Sequence, residues 1–149
     1  MMIFITHVLF AILICVVLKI PVDFGLFLGS TIPDIDYPYS FIGDIFSPLS
    51  EKIYKKFGHR GFTHSIFWSL LLGGLCFVET KFITLFIGYT THIFLDMFTY
   101  TGVKLAPTRN VSFTLFHGPV ETGSKTDRVL AIVFGALCML AWILRYYLT

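Results

Sequence analysis

Five long apolar runs, each closed by a short polar or proline-containing stretch, set the plan of the chain: Ile3 to Ile20, Phe24 to Ile32, Ile66 to Val78, Phe82 to Tyr100 and Val129 to Leu148. Runs of this length without regular polar alternation read as helices surrounded by apolar material. The first, at 1.5 Å per residue, would be about 27 Å long, just short of a hydrocarbon core. Pro21 and Asp23 end it. The second run is too short to cross a bilayer, and its Gly25 and Gly29 have the four-residue spacing that lets another helix approach closely. Between the second and third runs, Tyr39 to Gly58 with Lys52, Lys55 and Lys56 reads as a surface segment with one amphipathic turn at the headgroups. Thr101 to Asp127, containing Gly102, Pro107, Gly118 and Pro119, reads as a second long loop. The pattern predicts an all-α integral membrane protein: one domain over 1–149, built as a small bundle of about four to five transmembrane or partly inserted helices.

Composition agrees. Of 149 residues, 56% are hydrophobic and 13% charged, against about 25% charged in soluble proteins, and the mean hydropathy is +0.81. A net charge of +2, on scattered basic residues, excludes a nucleic-acid surface as the main function. The first apolar run lacks a basic leader and a small-residue cleavage site, and is expected to be a permanent helix. Cys15, Cys76 and Cys138 lie in separate apolar runs and read as small hydrophobic residues.

Against this background a few ionisable residues stand out. His7 interrupts the first run; Asp34 and Asp36 lie in a Pro33-Asp-Ile-Asp-Tyr-Pro38 turn; His59, Arg60 and His64 lie in a Gly58-His-Arg-Gly-Phe-Thr-His-Ser65 stretch; and His92 and Asp96, four apart, share one face of the fourth helix. His117 and Glu121 repeat that spacing in the second loop, where Gly118 and Pro119 argue against a helix. Such groups are costly in apolar surroundings unless paired or metal-bound. If the apolar runs cross the membrane in turn, all five histidines and these carboxylates arrive on one side. The basic residues between Lys52 and Arg60 and between Lys104 and Arg128 arrive there too, which assigns that side to the cytoplasm. Were the second run to lie flat, His7 would be separated from the rest.

Imidazole and carboxylate together are ligands for zinc, and for iron or manganese as carboxylates become more numerous. His7, Asp34, Asp36, His59, His64, His92, Asp96, His117 and Glu121 are the candidate ligands. They exceed the four positions of a structural zinc, which predicts two ions or one ion with surrounding partners. Asp34, Asp36 and His59 are candidates for moving protons, and Arg60 for holding an anionic substrate. The plain alternative for Asp34 and Asp36 is a solvated turn. For the whole set it is a membrane protein that binds or transports a divalent metal without chemistry.

The order Thr6-His7, Gly29-Ser-Thr-Ile-Pro-Asp34-Ile-Asp36, His59-Arg-Gly-Phe-Thr-His64-Ser65, Gly88-Tyr89 with His92-x-x-x-Asp96, and Thr99 before Gly102 resembles the YdjM-like family of membrane-bound metal-dependent hydrolases. The resemblance covers about two thirds of the chain; it implies a divalent metal, zinc before manganese or iron, and hydrolase activity, with His7, Asp34, Asp36, His59, His64, His92 and Asp96 as ligands or catalytic groups. A fainter similarity to zinc-dependent phospholipases C, in which His117 and Glu121 would close the ligand order, implies a phosphoester substrate such as a lipid or other amphiphile. The expected protein is therefore a phosphoester hydrolase of the cell (inner) membrane, with its site facing the cytoplasm and membrane lipid as its partner. On this reading Asp96→Ala removes metal and activity together, whereas Arg60→Ala spares the metal and weakens substrate binding; metal content beside a substrate titration checks both.

Overall fold

The computed structural model describes residues 4–104, 106, 112–121 and 123–148; Pro107 and Arg109 of the second loop lie outside them. Among the described residues there are seven α-helices. These are α1 (Phe4–Leu18), α2 (Phe24–Thr31), α3 (Phe41–Ile45), α4 (Ser47–Phe57), α5 (Ile66–Cys76), α6 (Ile83–Asp96) and α7 (Lys125–Leu148). A 3-10 turn, Ile32–Asp36, continues α2, and a short antiparallel hairpin pairs β1 (Val103–Lys104) with β2 (Ser112–Phe113).

The fold is mostly helical, as the apolar pattern predicts, but the helices differ in reach. Within Lys125–Tyr147, α7 contains an 18-residue stretch with a mean hydropathy of 2.1, none of it buried inside the protein. It alone among the described helices is long and apolar enough to cross a bilayer by itself. The 15 residues of α1, 11 of α5 and 14 of α6 correspond to roughly 22, 17 and 21 Å, short of a core of about 30 Å.

Segment 39–58, expected as a surface loop with one amphipathic turn, forms two helices. Ser40 Oγ accepts from the Gly43 amide at 2.9 Å to cap α3. Pro48 occupies the first turn of α4, where its missing N–H costs nothing. A proline that suggests a loop in isolation is here a helix start. The β1–β2 pairing was likewise not foreseen, since two-residue strands leave no periodicity to read.

The two largest helix interfaces among the described residues are those of α1 with α7 and of α2 with α6. The first joins α1 to α7: buried Thr6 Oγ1 donates to Asp127 Oδ1 at 2.8 Å, and Cys138 Sγ approaches the Leu9 carbonyl at 3.3 Å. The second joins α2 to α6 with little between the backbones. A Cβ on Gly29 would come within 2.9 Å of the Tyr89 amide nitrogen, and one on Gly88 within 2.7 Å of the Ser30 nitrogen. The spacing of Gly25 and Gly29 thus meets a glycine on the partner helix, the small-residue geometry of close helix pairs. Ala11, Cys15, Leu26 and Ile87 pack one core at this junction; Tyr89, Ile93 and Val103 form another against α5.

Gly88→Ala is expected to destabilise the fold by about 1–3 kcal/mol or more through overpacking. Gly74→Ala, with nothing within 4 Å of the added Cβ, is expected to be neutral or mildly stabilising. Thermal unfolding of the two variants in one detergent checks the contrast.

Candidate metal centre

The α2–α6 approach has a direct chemical consequence. It presents the Ser30 carbonyl, at the end of α2, to the ring of His92 on α6, and His92 Nδ1 donates to it at 2.7 Å. That bond fixes the tautomer and leaves Nε2 as a lone pair facing inward. One turn later on α6, Asp96 points the same way. The stretch before α5 brings in His64, the 3-10 turn brings Asp34, and the start of α1 brings His7. All five side chains are buried.

Their inward atoms are unsatisfied. His7 Nε2, Asp34 Oδ1, His64 Nε2, His92 Nε2 and Asp96 Oδ2 are each buried without a hydrogen-bond partner. They are nevertheless close together. His64 Nε2 lies 3.3 Å from Asp34 Oδ1 and 3.4 Å from Asp96 Oδ2; His92 Nε2 lies 3.6 Å and 3.7 Å from the same two atoms. His7 Nε2 is 3.6 Å from Asp96 Oδ1 and its ring stacks on that of His92 at 3.9 Å. Tetrahedral ligands at 2.0–2.2 Å from a divalent ion are separated by about 3.3–3.6 Å. Orphaned donor atoms at that spacing, of nitrogen and oxygen type, fit such an ion. They fall into two overlapping triads, His7/His92/Asp96 and Asp34/His64/His92; the single lone pair of His92 Nε2 serves one ion, so the donor set suits one ion, or two of which one takes His92.

A third triad, Asp36/His59/His64, is different in kind because its atoms are already bonded to one another. Asp36 Oδ2 lies 3.0 Å from His64 Nδ1 and Asp36 Oδ1 2.9 Å from His59 Nδ1. Thr63 Oγ1 sits 2.7 Å from both Asp36 Oδ2 and the Pro33 carbonyl, donating to one or the other. Asp36 therefore orients His64 from behind, the carboxylate–imidazole arrangement that sets a ligand's tautomer and basicity. His59 is partly exposed and continues this chain outward, with Tyr37 against its ring at 4.6 Å.

Electrostatics follow the geometry. Burial alone would raise the pKa of Asp36, but the imidazoles of His64 and His59 outweigh it and hold the carboxyl well below its usual range. Asp34 shifts in the same direction, its burial overcome by His92 and His64. His64 is opposed by its own burial, yet Asp36, Asp34 and Asp96 push its pKa up to about 10 in the metal-free protein.

Arg60 is placed otherwise than as an exposed anion hook. It adopts a left-handed backbone, φ 56°, and is 5% exposed. Its Nη2 donates to Asp96 Oδ1 at 2.8 Å, and its Nη1 to the hydroxyls of Thr99 and Thr101. Its guanidinium thus fixes one oxygen of Asp96 and leaves the other facing His64 and His92. His117 and Glu121 are exposed and join none of the triads among the described residues. His117 lies in a turn with φ 60°, so its spacing to Glu121 does not place the two on a common face.

A family model described as YdjM inner membrane protein matches residues 1–148. The chain belongs to the YdjM inner membrane protein family. It is 35% identical over 109 residues to "Uncharacterized protein YvsG" of Bacillus subtilis (strain 168), covering 69% of this chain and 66% of that protein. It is 41% identical over 87 residues to "Inner membrane protein YdjM" of Escherichia coli (strain K12), covering 52% of this chain and 44% of that protein. The Shigella flexneri protein of the same name matches to the same extent. The match thus spans between 44% and 66% of these relatives' own lengths. No solved structure matches this chain.

Within this YdjM-family chain, the carbonyl of Ser30 and the hydroxyl of Thr101 are the participants that sequence reasoning missed. A backbone carbonyl carries no residue-type signal, and Thr101 was hidden at a helix-to-loop boundary.

The geometry separates candidate ligands from orienting residues. His64→Ala and Asp96→Ala are expected to abolish divalent-metal retention, whereas Asp36→Asn weakens it about 10- to 100-fold. Arg60→Ala, expected from sequence to spare the metal, is now expected to weaken it too, by releasing Asp96. Equilibrium dialysis against zinc ranks the four. Because the metal must displace a proton from His64, apparent affinity should rise with pH from 6 to 9, by about tenfold per unit for one proton released; calorimetry in two buffers of different ionisation enthalpy measures that proton.

Proposed function

We propose that this protein is a metal-dependent hydrolase of the cell (inner) membrane, acting on the phosphoester of a lipid or other amphiphile, with its centre at the cytoplasmic face. The single observation that carries the reading is the convergence of five buried, unpartnered ligand atoms, from His7, Asp34, His64, His92 and Asp96, at ion-binding separations. On this reading α1, α2, α5 and α6 enter the bilayer partly or wholly beside α7.

A divalent ion bound there, zinc before manganese or iron, supplies Lewis acidity and activates water near neutral pH. The chain's own residues supply the rest. His7, His64, His92, Asp34 and Asp96 hold the ion. Ser30, Asp36 and Arg60 fix the ring and carboxylate orientations that make those atoms point inward. The His59–Asp36–His64 hydrogen-bonded chain links the partly exposed His59 to the buried ligand His64, a route along which a proton can be handed at His64 Nδ1.

The complete burial of the ligand atoms favours a second reading, a centre that binds or passes a divalent ion without chemistry. The two diverge in one assay. Zinc-loaded protein in nanodiscs is incubated with bis-p-nitrophenyl phosphate and with a long-chain alkyl p-nitrophenyl phosphate. Hydrolysis is expected, lost by at least 100-fold in Asp96→Ala, and stimulated by the longer chain. Stoichiometric metal with no hydrolysis of either ester by the wild type would move the function to the second reading.

A further inference from the structure

A cavity of about 330 Å³ lies between the end of α2, α5 and α6, walled by Ile32, Phe62, Trp68, Leu72, Leu85 and Tyr89, with Thr63 at one side. Three of its lining residues carry polar atoms, and all three are used within the wall. Trp68 Nε1 donates to the Phe62 carbonyl at 2.9 Å, the Tyr89 hydroxyl donates to the Thr63 carbonyl, and the Thr63 hydroxyl is engaged by Pro33 and Asp36. The space is therefore lined by hydrocarbon and suits apolar guests.

Its position relative to the centre is equally definite. Thr63 precedes the ligand His64, Ile32 lies two residues before the ligand Asp34, and Tyr89 lies one helical turn before the ligand His92. Three elements that deliver ligand atoms inward thus present a neighbouring residue to the cavity.

We propose that this cavity receives the alkyl chain of the substrate, so that the substrate is an amphiphile with an anionic phosphate head directed at the metal centre and an apolar tail against Trp68 and Tyr89. The proposal rests on the hydrolase reading for the identity of the head. The wall itself supplies the argument for the tail. A cavity presenting carbon alone does not hold a sugar or a nucleobase, and a divalent ion in the adjoining centre would bind a phosphate oxygen of the head directly. At about 30 Å³ per small group the space holds roughly ten such groups, a medium-length chain segment.

Trp68 reports on occupancy directly. In a Trp142→Phe background it is the protein's single indole. Zinc-loaded protein in nanodiscs is titrated with alkyl phosphates of six to ten carbons brominated at the chain end, and with brominated alkyl maltosides of the same lengths as uncharged controls. Saturable quenching of Trp68 is expected, with the half-saturating phosphate concentration falling about fourfold per added methylene, the factor that corresponds to about 0.8 kcal/mol per CH₂. The phosphates should act at concentrations at least tenfold below the maltosides.

Leu72→Phe, which fills the cavity, and Leu71→Phe, at its half-exposed rim, should each weaken quenching by at least fivefold without altering zinc content. Equal quenching by phosphates and maltosides, insensitive to both substitutions, would show a groove solvated by bulk lipid and overturn the proposal. Quenching as expected without any ester hydrolysis would leave the alkyl site standing and remove the hydrolase reading. Hydrolysis indifferent to chain length and to both substitutions would do the reverse.

Discussion

Three of the four buried carboxylates among the described residues, those of Asp34, Asp36 and Asp96, are the constraint to which the rest of the molecule responds. Withdrawing even one from water costs several kcal/mol unless positive charge or hydrogen bonds replace the lost solvation. Arg60, itself held by the Thr99 and Thr101 hydroxyls, serves one oxygen of Asp96; His59, His64 and Thr63 serve Asp36. Asp34 Oδ1 and Asp96 Oδ2 remain, facing the Nε2 atoms of His64 and His92, which also have no hydrogen-bond partner, with His7 Nε2 unpartnered beside Asp96 Oδ1. Such a residue of unmet hydrogen bonds is the physical case for an ion, because a divalent cation satisfies all of them at once.

The helices can be understood as a frame for that cluster. Gly29 and Gly88 bring α2 and α6 together, and only this closeness lets a backbone carbonyl fix His92. Thr6 and Asp127 tie the start of α1, and hence His7, to the start of α7. The left-handed turn at Arg60 returns its guanidinium to Asp96. Each link lies a few residues from a candidate ligand, so packing and the geometry of the cluster are set by the same short segments.

Much of this was legible from sequence, for identifiable reasons. Isolated ionisable residues in apolar runs are conspicuous, and His7, Asp34, His64, His92 and Asp96 stood out on that ground. The four-residue spacing on α6 survived because a long helix keeps its period. His117 and Glu121 had the same spacing without the helix, and the structure leaves both exposed. Asp36 and Arg60 carry ionisable groups that sequence could flag but not assign. Which oxygen faces inward, and which is held from behind, depends on contacts 20 to 40 residues apart. The amphipathic helix α4 is half visible: its lysines signal a surface, but Pro48, which in isolation suggests a loop, fills a first turn. The alkyl-sized cavity had no sequence signature, being formed where the turn after α2, the approach to α5 and two helix faces meet.

Zinc-edge X-ray absorption of the detergent-purified, zinc-loaded protein tests the central claim most directly. The account predicts stoichiometric zinc with a first shell of nitrogen and oxygen at about 2.0–2.2 Å, the outer-shell scattering of at least two imidazoles, and no sulfur. A sulfur-containing shell at about 2.3 Å, or no tightly held divalent ion after reconstitution with zinc or manganese, would contradict it.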